Sequence, residues 1–317
     1  MSTMNTTPLV SVIMCNYNNA PWVIEALNSV ATQTYKNIEI IVLDDCSKDN
    51  SPSLIEEWLK TYTGTFKFIR HERNMGICIT ANDGIAASSG KYICFLATDD
   101  IMLPEKTAEQ AALLEQAGQD VGMVYSDARL IQDDGRPIYG NFIQRYRQDF
   151  IWPPSGWIFD DIIKGNYIPG MATLIRKSVI DAIGSFDPTL SYEDFDMWLR
   201  IAEKYQIIFQ NKQTVKYRIR KGSLMHSSKN FNPSQVRIFA KFIDHATARR
   251  ALFDIAVASY IVRDKESILQ LRSLNEVIPG ISTILKLWDV KFPHFIGKRI
   301  VARLKYKDLS NSVNVLT

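Results

Sequence analysis

Two pairs of adjacent aspartates, Asp44-Asp45 and Asp99-Asp100, each follow a run of apolar and β-branched residues, 38–43 and 91–96. Neighbouring carboxylates repel unless a cation or a hydrogen-bonding ligand joins them. In open α/β sheets, ligands sit outside the carboxyl ends of the strands, which is where both pairs fall. Capping of the following turn would account for one such pair; recurrence at two equivalent strand ends favours a ligand site. Oxygen-only ligands there favour Mg²⁺ or Mn²⁺ over softer metals. A third acidic cluster, Glu193, Asp194 and Asp196, opens an amphipathic segment. The positive end of a helix accounts for acidic residues at that place, and a carboxylate so placed can also serve as a general base.

The elements that must position these groups alternate. Strand-like residues 9–15 lead to a helix at 21–30, the strand at 38–43 to a helix opened by Ser51 and Pro52, then a strand at 66–70, a helix at 79–88 and the strand at 91–96. This βαβ rhythm predicts a parallel sheet. A dinucleotide fold would place glycines after its first strand, yet residues 16–21 contain none and no phosphate-binding glycine loop occurs elsewhere. The phosphates of a nucleotide would therefore be held through a divalent metal on carboxylates. Further on, 121–126 reads as a strand, Asp133-Asp134-Gly135 as a hairpin turn, 141–154 as aperiodic, 170–176 as a strand and 177–183 as a short helix stopped by Gly184. In the acidic-headed helix Trp198 shares a face with Phe195 and Ala202, so it reads as core rather than as a sugar platform.

At 317 residues, 46% apolar and 22% charged, the chain has the composition of a globular protein. Cys15, Cys46, Cys78 and Cys94 are scattered with no zinc-ligand or redox spacing, as expected of reduced thiols in a cytoplasmic protein. The polar N-terminus has no signal-peptide pattern, and the apolar run 251–262 is broken by Asp254 and falls short of the roughly 18 residues of a membrane span. Net charge is +3, but Lys286 to Lys307 holds seven Lys or Arg against one Asp. A nucleic-acid-binding surface is not expected from that distribution. Aromatics interleave with the cluster, which suits peripheral binding to an anionic inner membrane face; a basic helix face used for homo-oligomer contact is the other reading. Residues 233–262 and 265–277 read as helical, with Pro279-Gly280 as a breaker.

Taken in order, residues 10–18 (VSVIMCNYN), 42–51 (VLDDCSKDNS), Asn74-Met75-Gly76, Asn82-Asp83-Gly84, 90–100 (GKYICFLATDD), 184–187 (GSFD), 193–200 (EDFDMWLR) and Tyr217-Arg218 resemble family 2 glycosyltransferases of the GT-A fold. The resemblance covers about two-thirds of the chain. It implies an α/β GT-A domain over 1–226, with a nucleotide-sugar half to about 125 and an acceptor half from 126, followed by a helical, basic extension over 227–317. It also implies inverting transfer from a nucleotide-diphosphate sugar, with UDP the expected nucleotide, to a glycan acceptor that would be lipid-linked in surface polysaccharide synthesis.

Carried over by position, Asn16, Tyr17, Asn18, Asp44 and Asp45 would hold base and ribose, with Arg73, Asn74 and Asn82 as further nucleotide contacts. Asp100 would ligate Mn²⁺ or Mg²⁺, and Asp99 would join it or contact the ribose or sugar. Asp194 would be the catalytic base, with Glu193 orienting the acceptor. The chain departs from the family pattern at Ala97, where many members carry another aspartate, and at Ala81, where an arginine is frequent. Arg220 stands where a histidine is frequent, which makes it a phosphate candidate, with His226 a weaker substitute. A nucleotidyltransferase and a non-catalytic binding module of the same fold are the rival readings. Retention of Asp99, Asp100 and Asp194 together speaks against the second.

Overall fold

Strands apolar on both faces need cover on both faces, and the first hundred residues supply it with helices between parallel strands. β1 (Val10–Asn16), β2 (Ile38–Asp44), β3 (Thr65–Arg70) and β4 (Tyr92–Ala97) pair in parallel in the order β3-β2-β1-β4. The connecting helices are α1 (Val23–Ala31), α2 (Ser51–Leu59) and α3 (Ile77–Ala87). Every residue of β2 is buried. α3 lies directly on β1 because Gly84 has no side chain: a Cβ there would stand 2.4 Å from Ile13 Cγ2. The computed structural model describes residues 7–147, 152–191, 193–220, 231–274, 276–278, 280–290, 296–301 and 303–304, without the side chains of 193, 231 and 232.

Beyond β4 the sheet becomes mixed. β5 (Ile101–Met102) and α4 (Lys106–Gln116) precede β6 (Val121–Ile131), whose hairpin partner is β7 (Pro137–Asn141). A short helix, α5 (Phe142–Tyr146), occupies part of the stretch 141–154 that shows no period in sequence, and another, α6 (Phe159–Ile162), follows it. β8 (Thr173–Arg176), α7 (Lys177–Ile183), α8 (Glu193–Lys204) and β9 (Gln206–Arg218) follow. β8 runs antiparallel between β4 and β6, and β9 lies parallel to β6 with β5 on its outer edge. The carboxyl ends of β6 and β9 thereby return beside Asp99 and Asp100, and the Arg218 N–H donates to Asp100 Oδ1 at 2.9 Å.

The chain divides into two compact units, residues 1–189 with 193–223, and residues 190–192 with 224–317. The second is helical, with α9 (Phe231–Lys241), α11 (Lys265–Leu271) and α12 (Ile281–Asp289) packed on α10 (Ala246–Val262). The helical stretch expected over 233–262 is two helices, because the chain turns at His245 and its imidazole accepts the Thr247 N–H at 3.2 Å to cap α10. Of the basic residues from Lys286 to Lys307, Lys286, Lys298, Arg299 and Arg303 fall among the described residues; His226 lies outside them. Among the described residues no helix is long and apolar enough to cross a membrane.

Candidate active site

The strand ends carrying the first aspartate pair are tied together by Asn16. Its Nδ2 donates to Asp44 Oδ2 at 2.6 Å and Ser51 Oγ at 2.9 Å, and its Oδ1 accepts from Thr98 Oγ1 at 2.6 Å. Asp44 also accepts from the Ser47 N–H and hydroxyl at 3.0 and 2.6 Å. Both Asn16 and Asp44 are buried, so they join the ends of β1, β2 and β4 and shape the loops around them. Asp45 accepts the Met75 and Gly76 N–H groups at 2.7 and 2.9 Å, and His71 Nδ1 lies 2.9 Å from its Oδ1. Asn74 Nδ2 donates to the Asp45 carbonyl at 3.3 Å. The Asp-Asp and Asn-x-Gly motifs are therefore one hydrogen-bonded unit. Asn18, in the left-handed region at φ 54°, accepts the Lys48 N–H at 2.7 Å. The surface of this unit presents Tyr17, 44% exposed, and Arg73, whose Nε donates to Met75 Sδ at 3.4 Å.

At the end of β4 the geometry is electrostatic. Asp100 is 1% exposed. Burial and then the adjacent Asp99 charge hold its pKa well above the ordinary carboxylate range, against the opposing pull of Arg218 and Arg220. Burial also raises Asp99, and Arg220 offsets part of that rise with Nε 2.8 Å from Asp99 Oδ2. Arg218 braces the same corner, donating to the Asp99 and Asp133 carbonyls and to Glu25, each at 2.8 Å. The Trp22 ring lies under both guanidinium groups, at 5.7 and 5.2 Å. A divalent cation would relieve the charge that makes this pair costly. One or two carboxylates plus substrate phosphates is a donor set that suits Mg²⁺ or Mn²⁺. Among the described residues, no group of three acidic, histidine or cysteine side chains forms a metal cage.

Asp194 stands apart in the first turn of α8, half-buried. Its Oδ1 accepts from Asn166 Nδ2 at 3.2 Å, and loss of solvent pushes its pKa up to about 6. Two clamps fix the turn leading towards it. Arg200 pairs with Asp196 at 2.8 Å and donates to the Ile183, Gly184 and Ser185 carbonyls at 3.0, 2.9 and 2.9 Å. Asn82 grips Phe186 through both backbone groups at 2.8 and 2.9 Å. Gly184 permits the turn at φ +87°, a region side chains disfavour. Trp198 is buried core. The Glu193 side chain lies outside the described residues.

The structure thus gathers Asn16, Tyr17, Asn18, Asp44, Asp45, Arg73 and Asn74 at one strand-end cluster, and Asp99, Asp100 and Arg220 at the next. Asn82 instead faces the turn before α8. Sequence reasoning did not single out Asn19 and Thr98, which hydrogen bond at 2.9 Å beside Asn16, nor His71 and Asn166. Arg218 was visible only as half of a Tyr-Arg pair.

The fold is that of GT-A enzymes. S. aureus TarS in complex with UDP-GlcNAc superposes with a TM-score of 0.65 at 17% identity, covering 96% of this chain and 92% of that one. The mannosyltransferase PcManGT from Pyrobaculum calidifontis, in complex with GDP-Man and Mn²⁺, gives 0.59 at 17% identity over 96% and 88%. The family model described as glycosyl transferase family 2 matches residues 11–184, and the chain belongs to that family. A Rickettsia typhi glycosyltransferase, itself uncharacterised, is 26% identical over 319 residues, 97% of this chain and 94% of that one. One from Rickettsia bellii is 31% identical over 214 residues, 67% of this chain but only 30% of that longer protein.

Proposed function

We propose that this chain is an inverting, metal-dependent glycosyltransferase that moves a sugar from a nucleotide-diphosphate donor, UDP-linked, to a hydroxyl of a glycan acceptor in surface polysaccharide synthesis. The observation that carries this reading is Asp194: a carboxylate in the first turn of α8, held by Asn166 and by backbone N–H groups, whose pKa desolvation pushes up to about 6. At neutral pH such a group is largely ionised, yet it is about two units more basic than an ordinary aspartate, which suits proton removal from a hydroxyl. Asp194 takes the proton as the acceptor oxygen attacks the anomeric carbon from the face opposite the diphosphate. The bond from that carbon to the diphosphate oxygen breaks, the nucleotide diphosphate leaves, and the single displacement inverts the anomeric centre.

Asp99 and Asp100 would hold Mn²⁺ or Mg²⁺, which supplies Lewis-acid stabilisation of the leaving diphosphate when bound. Arg220, already drawn to Asp99, would turn to the phosphate charge. Tyr17, Asn18, Arg73 and the outer edge of Asp45 would meet base and ribose, while Asn16 and Asp44 act through the loops they bind. Relatives of the same fold with UDP-GlcNAc or GDP-Man and Mn²⁺ support a nucleotide-sugar donor. The basic C-terminal segment would bring the enzyme to an anionic membrane and a lipid-linked acceptor. Flotation with anionic but not neutral liposomes, lost on deletion of Lys286 to Lys307, supports that placement; no lipid-dependent shift rejects it.

Calorimetric titration of UDP, GDP, CDP and dTDP, each with Mn²⁺ and with EDTA, tests the donor site in wild type and Asp100→Ala. Metal-dependent preference for UDP, lost in the variant, is expected. Equal binding in EDTA and in the variant would remove the metal from the account.

A further inference from the structure

Away from the donor-site candidates, beside β6 and β9, lies a cavity of about 620 Å³ whose walls include Trp152, Phe209, Arg129, Asn141, Asn211 and Gln213. None of the residues assigned above to nucleotide, metal or base lines it. The sheet is irregular there: Ser126 pairs with Gln210 and Asp127 with Gln213, so Asn211 and Lys212 are extra residues in β9. Such a bulge re-aims side chains, and in a parallel pair it is rare. Trp152 is 66% exposed, with its ring 6.0 Å from that of Phe209 and nearly perpendicular to it. A large exposed indole costs apolar hydration unless a ligand covers it.

The charges in the wall are not equivalent. Arg147 is bound in two places to Asp161, Lys212 to Glu109, and Asp127 Oδ1 to the Ala128 and Ile143 N–H groups. Arg129 is exposed, its Nε donating to Gln213 Oε1 at 3.2 Å, and no carboxylate among the described residues pairs with it. That one bond orients a guanidinium fork whose remaining N–H groups suit a carboxylate or phosphate. An aromatic face for the C–H side of a sugar ring, amides for its hydroxyls and one fork for an acid group make a recognisable set.

We propose that this cavity is a second saccharide subsite that seats an acidic sugar unit of the acceptor chain; its role rests on the transferase reading, its chemistry does not. Arg147 links the cavity wall to Asp161 on α6, and the segment after α6 carries Asn166, the partner of Asp194. These contacts connect the cavity wall to the segment that carries the partner of the base.

The test is calorimetry on the full chain with UDP and Mn²⁺ present at saturation. The probes are a hyaluronan oligosaccharide, an uncharged chitin oligosaccharide of matching length and a glycerol-phosphate oligomer. The hyaluronan oligosaccharide should bind about tenfold tighter than the neutral one, and binding of the glycerol-phosphate oligomer alone would overturn a saccharide subsite. Arg129→Gln should erase that preference, and Trp152→Ala should weaken all saccharide binding about tenfold while UDP affinity stays unchanged. Both residues are exposed, so neither change threatens the fold. The subsite is refuted if no probe binds, if UDP displaces it, or if both variants bind as wild type. UDP binding without probe binding removes the subsite and leaves the transferase reading standing; probe binding without UDP binding does the reverse.

Discussion

The aspartates at the end of β2, both buried, and the half-buried aspartate in the first turn of α8 are the same residue type, but they are held differently. Asp44 and Asp45 each have three polar contacts from loops or neighbouring strand ends. Asp194 accepts from Asn166 Nδ2 and from the backbone N–H groups of Phe195 and of Asp194 itself, yet desolvation outweighs them and pushes its pKa up to about 6. A saturated carboxylate is a fastener, and its loss would free several loops at once. One whose desolvation outweighs its donors keeps affinity for a proton, which is the property a base needs. Desolvation that its donors do not offset marks Asp194 for chemistry, while the contacts that Asp44 and Asp45 make to several loops mark them for positioning.

Replacing the base breaks the contrast most sharply. Asp194→Asn should lower kcat about a thousandfold while UDP affinity, measured by calorimetry, is unchanged. The same variant should be more stable than wild type. Because the folded-state pKa is raised, the stability linked to this proton is present below the ordinary carboxylate pKa and is lost as pH rises through about 6. Asparagine has no such loss, so its advantage in Tm should be full above about pH 6 and shrink towards about pH 4.

Asp44→Ala should behave in the opposite way, costing about 3 kcal/mol in urea unfolding by leaving Asn16 and Ser47 without their acceptor. It should lose stability and nucleotide binding together; a variant as stable as wild type would show that Asp44 is no fastener. A smaller effect is expected at Arg220→Gln, about a tenfold rise in donor KM with kcat nearly kept, since the amide retains a polar group but no charge. An unchanged KM would return Arg220 to a purely structural partner of Asp99. Asn166→Ala is the mildest: it removes a bond that stabilises the ionised Asp194, so the acid limb of the rate profile should move up by about half a unit.

The parallel half of the sheet was legible because β1, β2 and β4 are mostly apolar and β2 and β4 run into the aspartate doublets, a pattern that survives without knowledge of neighbours. The doublets and Asp194 stood out for the same local reason. Their partners did not, since Asn16 and Asp44 are 28 residues apart and Asp100 and Arg218 are 118 apart. Only the register that sets Asn16 opposite Asp44 brings the first pair together. Asn166 sits in an irregular segment with no period to mark it. The length of β9, Gln206–Arg218, was hidden by its polar residues, some lining the cavity and others, such as Thr214 and Arg218, buried with hydrogen-bond partners. Asn82 shows the limit of motif transfer: its position matches a family pattern, yet its amide holds the Phe186 backbone.

The pH dependence of kcat/KM at saturating donor and metal, over about pH 5 to 9, addresses the central claim directly. A rising limb with an apparent pKa near 6, displaced upward in Asn166→Ala and absent from the residual activity of Asp194→Asn, is the predicted result. A profile flat across that range, or a limb that stays in place in both variants, would contradict the assignment of Asp194 as the base.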